Sequence, residues 1–148
     1  MKKKLMTAVM TSISEVMETM FFLPIEPAAD ATLARCGLDK QKTMACQLSF
    51  SGDISGRMIL LADESLVAEM ARNFMGESSE YLTDEYLMGT LTEMLNMVCG
   101  NALSKIQADI PFELGIPAKI DASEIPEKEE FSIIETTQSK MAFLLKTD

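Results

Sequence analysis

Apolar residues recur at a helical period over residues 4 to 22. Leu5, Val9, Ile13, Val16, Met17 and Met20 share one face, and Ser12, Glu15 and Thr19 are assigned to the other. Pro24 and Pro27 predict the stop. Residues 23 to 42 hold no clear period and predict a connection with room for a short edge strand. From residue 43 to 62 the pattern changes. Ala45 to Phe50 alternates, Ser51 to Gly56 supplies a turn, and Arg57 to Ala62, with Ile59, Leu60 and Leu61, reads as a second strand. Asp63 is placed to cap a second helix, Glu64 to about Met75, stopped by Gly76. After polar residues 77 to 82, Thr83 or Asp84 opens a third helix expected to reach Ala108, a length of about 37 Å. Phe112 to Ala122 is expected to be extended, with Pro111 and Pro117 restricting it. Pro126 to Glu130 is a charged loop, and Phe131 to Thr137 and Met141 to Lys146 predict a closing hairpin.

The order is helix, two strands, two helices, then strands. That order predicts an α+β fold, with long helices packed on a largely antiparallel β-sheet. The 148 residues suit a single domain, 1–148, and no stretch has the composition of a linker.

Composition narrows the chemistry. The chain has no histidine, which removes Ser-His-Asp and Cys-His catalysis and the usual zinc sites. Cys36, Cys46 and Cys99 form no CxxC pair and read as buried thiols in a reducing cytosol. The net charge is −10, and the only basic run is Lys2-Lys3-Lys4, so nucleic acid is a poor partner and a protein or small molecule a better one. Lysines ahead of an apolar stretch imitate a secretory signal. Thr7, Thr11, Ser12 and Ser14, followed by Glu15 and Glu18, do not suit a signal or a membrane span. The expectation is a cytoplasmic protein that does not enter a membrane.

The third helix carries the candidate chemistry. On a wheel, Leu87, Leu91, Met94, Leu95, Val98, Ala102 and Ile106 form one stripe that must face the core. Tyr86, Gly89, Glu93, Asn96, Gly100, Ser104 and Gln107 lie opposite. A glycine inside a helix costs about 1 kcal/mol relative to alanine. Gly89 and Gly100 therefore need a reason: either they open a trough for another protein's backbone, or they pack against a neighbouring element of the same chain. Glu93 and Asn96, three residues apart, are neighbours on that face. A carboxylate there can grip a cation, and a carboxamide can both donate to and accept from one water.

At these residues the chain resembles the CheX family of chemotaxis phosphatases, related to CheC and FliY. The resemblance rests on Glu93-Met94-Leu95-Asn96-Met97-Val98-Cys99-Gly100-Asn101, an E-x-x-N helix with a trailing small residue. Ser49 to Gly56, Ala68 to Gly76 and Glu15 to Phe22 support it in the right order. The resemblance implies a CheC-like fold. It implies a phosphatase acting on the aspartyl phosphate of a CheY-like response regulator, with Asn96 positioning the attacking water and Glu93 pairing with a regulator lysine. Gly89, Gly100, Tyr86, Ser104 and Gln107 would contact the partner. The protein would need no cofactor of its own, since Mg2+ would be supplied by the regulator. It would pair as a homodimer, for which the closing strands, with Ile133, Ile134, Phe143 and Leu144, offer a pairing edge. In the CheC branch a second E-x-x-N stands in the first helix. Here that place reads Glu15-Val16-Met17-Glu18, so a single active site per chain is implied, with Glu15 and Glu18 on a solvated face. Glu69 and Asn73 on the second helix lack the glycine flanks. The competing reading is a non-catalytic adaptor or flagellar-switch-like module that docks the regulator and leaves it intact. A hydrolase using paired carboxylates lacks both metal ligands and a nucleophile.

Overall fold

The structure is a computed structural model that describes residues 1–75, 82–106 and 109–148. It is built from helices α1 (Lys2–Met20), α2 (Leu33–Cys36), α3 (Glu64–Met75) and α4 (Asp84–Ser104). The strands are β1 (Glu26–Pro27), β2 (Thr43–Ser51), β3 (Gly56–Asp63), β4 (Glu113–Leu114), β5 (Ala118–Ile120), β6 (Ser132–Glu135) and β7 (Lys140–Thr147). All strand pairs are antiparallel, in the order β1-β6-β7-β3-β2-β4, with β5 also on β2.

The sheet is buried on both sides. Cys46, Leu48, Phe50, Met58, Leu60, Ile134, Met141 and Phe143 meet the apolar stripes of α1, α3 and α4. Ala45, Ile59, Leu61, Ile133 and Ala142 point the other way, into a smaller core with Leu33, Cys36, Ala122, Ile125 and Phe131. Two-sided burial is why β3 shows an unbroken apolar run where β2 alternates. Gly56 lets β3 start close to β7: a Cβ there would fall on the Lys146 carbonyl.

Helix α4 lies between α1 and α3 and packs on β2. Its N-cap is Thr83, whose Oγ1 accepts from the Tyr86 N–H at 3.1 Å, and Asp84 and Glu85 complement the helix dipole. Asp63 likewise accepts from the Ser65 N–H at 3.3 Å to open α3. Helix α4 ends at Ser104, short of the expected Ala108. Its last turn tightens as the Lys105 and Ile106 N–H groups donate to the Ala102 and Leu103 carbonyls.

Three other expectations are corrected. The connection from 23 to 42 holds the expected short edge strand, β1, but also an unexpected helix, α2, capped by Thr32 and by left-handed Gly37. Ser12 is fully buried rather than on the polar face, because its wheel position is beside Leu5 and Val16; geometry overrides polarity. The closing strands present no open edge. β7 sits between β6 and β3, β6 is covered by β1, and Ile133, Ile134 and Phe143 are buried. The sheet's edges are instead the two-residue β1, exposed at both positions, and the β4–β5 side, where Ile110, Leu114 and Ile116 are exposed.

Candidate functional site

The outward face of α4 forms a crest because the helix has neighbours on both flanks. Glu93 on this crest is exposed, and Asn96 and Gly100 are half-buried. Among the described residues, neither the Glu93 carboxylate nor the Asn96 carboxamide has a hydrogen-bond or ion-pair partner. Among the described residues the two glycines have no packing neighbour. A Cβ at Gly89 would meet nothing within 4 Å, and one at Gly100 would meet only Leu114 Cδ1, at 4.0 Å. The glycines thus leave open space along the helix rather than a packing contact with a described element of the chain. The core stripe is as expected at Leu87, Leu91, Met94, Leu95, Val98 and Ala102, widened by Cys99 and Leu103, while Ile106 is only half-buried.

Grooves run along both sides of the crest. Toward α1, a groove of about 460 Å³ has Asn96, Met97, Gly100 and Asn101 on one wall and Glu15, Val16, Thr19 and Met20 on the other. Toward the end of α3, a second groove of about 470 Å³ takes in Tyr86, Gly89, Glu93 and Met97. Met97, Asn101 and the α1 wall were not singled out from sequence. Asn101 follows Gly100 in the quoted motif, but nothing in the periodicity of α4 identifies which part of α1 faces it.

The remaining candidates divide. Tyr86 is exposed on the crest and lines the second groove. Ser104 is exposed, but its hydroxyl donates back to the Asn101 carbonyl at 2.8 Å. Gln107 lies outside the described residues. Glu15, in the α1 segment that parallels the motif, is held by its own chain, with Lys105 Nζ at 3.0 Å and Ser12 Oγ 3.5 Å from the same ammonium. Glu18 is exposed. Asn73 donates to the Phe21 carbonyl at 2.8 Å and serves to close the end of α1. Among the described residues no three His, Cys, Asp or Glu side chains come together as metal ligands. Burial raises the Cys46 thiol to about 12 and pushes the Cys99 thiol up further, with Cys46 nearby adding to the shift. Neither thiol is a nucleophile at neutral pH.

The profile of the family described as chemotaxis phosphatase CheX matches residues 44–137, which include all of α4 with Glu93 and Asn96. The chain belongs to the CheX family. Several solved structures share the fold. The chemotaxis protein CheX from Vibrio vulnificus superposes with a TM-score of 0.76 at 21% identity, over 97% of this chain and 96% of that one. A chain from the CheX–CheY–BeF3–Mg2+ complex of Borrelia burgdorferi gives 0.76 at 18% identity, over 96% of each. A chemotactic CheC-like protein from Shewanella oneidensis MR-1 gives 0.75 at 18%, over the whole of both chains. The fold is thus CheC-like, as the resemblance implied. No curated protein matches the chain. No helix among the described residues is long and apolar enough to cross a membrane.

Proposed function

We propose that this CheX-family chain hydrolyses the aspartyl phosphate of a CheY-like response regulator, ending a signal in chemotaxis or a related two-component pathway. The observation that carries the reading is the open crest of α4, with a carboxylate and a carboxamide that no described residue engages and glycines on either side. The solved complex of a similarly folded CheX with CheY, BeF3 and Mg2+ supports the choice of partner.

Phosphoryl transfer needs positioning and charge stabilisation more than covalent help. Docked on the regulator, Glu93 pairs with a lysine and fixes the register of α4. Asn96 then enters the phosphorylated pocket and holds one water in line with phosphorus. The water oxygen forms the new P–O bond as the bond to the aspartyl oxygen breaks, which frees the aspartate carboxylate and inorganic phosphate. A neutral amide suits this place because a carboxylate would repel the phosphoryl oxygens. We assign the Mg2+ to the regulator, where it supplies charge neutralisation of the phosphoryl group. Gly89 and Gly100 keep the crest low enough for the regulator's backbone, and Tyr86 contacts it at the rim. The protein acts in the cytoplasm as a homodimer, with the exposed apolar β4–β5 side as its pairing edge.

The test is phosphate release from phosphorylated regulators of the same genome, followed against spontaneous decay. Acceleration that is lost in Asn96→Ala, with the fold unchanged, is the expected result. Binding without acceleration favours the adaptor reading, since a pure docking module has no use for an amide at the point of attack.

A further inference from the structure

The groove on the α3 side of Glu93 is apolar, and beyond Glu93, Gly89 and Tyr86 at its crest side the reaction just described makes no use of it. Phe21, Phe74, Tyr86 and Met97 form its walls, and the Glu85 and Glu93 carboxylates stand on its rim. The aromatic wall is open to solvent: Phe74 is 52% exposed and Tyr86 39%, and the Phe74 ring stacks at a tilt on Phe21 with centroids 5.9 Å apart. Phe22, next to Phe21 but outside the groove's lining, is held at φ 57° and is 67% exposed. A left-handed backbone is unfavourable for a bulky residue, and exposing an aromatic ring adds no stability. Exposed aromatics gathered beside an acidic rim have the composition of a contact surface.

Resting on the docking proposed above, we infer that this groove receives an apolar side chain of the response regulator that stands next to a lysine or arginine, and that the groove sets which regulator binds. Two observations select that occupant. Glu93 and Met97 belong both to the crest and to the groove, so a protein seated over Glu93 also covers the groove. Glu85 and Glu93 have no cation partner among the described residues, so the rim favours a basic neighbour for the apolar group. Burial of one such side chain against three aromatic rings is enough to distinguish regulators that carry it from those that do not.

The experiment measures binding separately from hydrolysis, using fluorescently labelled cognate regulator activated with BeF3 and Mg2+. Phe74→Ser empties the groove and Thr90→Trp fills it. Each is expected to raise the dissociation constant tenfold or more with an unchanged melting temperature. Wild-type affinity in both variants overturns the inference and leaves the phosphatase reading intact. Wild-type affinity with a lowered melting temperature also overturns it, since the groove is then internal packing. If the variants convert a dimer to monomers, the occupant is a second copy of this chain and the inference fails. If the variants lose binding while Asn96→Ala still releases phosphate at the wild-type rate, the groove stands and the catalytic reading falls. A wild-type protein that binds no regulator of its genome overturns both.

Discussion

At the scale of single residues, stability and function make opposite demands on α4. Gly89 and Gly100 have room for a Cβ, so Gly89→Ala and Gly100→Ala should each stabilise the fold by about 0.5–1 kcal/mol in chemical denaturation. A larger side chain such as Gly100→Leu should instead block docking and raise the half-saturating concentration of phosphorylated regulator. The thiols give a pH signature. Burial raises Cys46 from 9.0 to about 12 and raises Cys99 as well, so the folded state holds protons that the unfolded state releases. Their contribution is complete below about pH 9 and is lost as pH rises toward 12. Denaturation midpoints measured at pH 8 and pH 10.5 should fall at the higher pH, and Cys46→Ala should flatten the fall. Glu93, Asn96 and the two glycines were legible because a helix wheel separates a polar face from a core stripe without further information. The Ser104 hydroxyl, turned onto its own backbone, was not, because a hydroxyl's partner depends on its rotamer.

At the scale of elements, the turn between β2 and β3 fixes where the chain goes after α4. The Asp53 carboxylate accepts from the Asp109 and Ile110 N–H groups at 2.7 and 3.2 Å, and Phe112 rests over Gly52 and against Phe50. The Ser49 to Gly56 segment was recognisable as a motif, yet its part in anchoring the exit from α4 involves contacts 56 and 57 residues away, beyond any local period. Gly56→Ala should be severely destabilising, because the added Cβ meets the Lys146 backbone and neither strand can yield without losing pairs. A loss of several kcal/mol, read as a drop in melting temperature, is expected. Helix boundaries were legible wherever a cap marks them, as at Asp63 and Thr83. The end of α4 was missed because its tightened last turn has no glycine or proline to announce it.

At the scale of the molecule, the two-sided sheet explains what pattern reading left open. An apolar run such as that in β3 implies burial on both faces but not what covers the second, which here comes from α2 and residues 122–125. The position of β7 inside the sheet was equally illegible, since hairpin patterns give neighbours in sequence and not the order across the sheet. The proposed dimer is assigned to the β4–β5 edge, where the exposed Leu114 and Ile116 lie, rather than to the two-residue β1. Light scattering should give twice the 16.3 kDa chain mass, and Ile116→Lys, at a site 89% exposed, should return it to the monomer. The central claim, a neutral amide aligning water inside the regulator's pocket, is tested most directly by Asn96→Asp, which keeps the shape of the side chain and adds a charge. At saturating protein, the first-order loss of phosphate from the regulator should fall back to its spontaneous rate while BeF3-activated regulator still binds. Wild-type acceleration by Asn96→Asp would contradict the account.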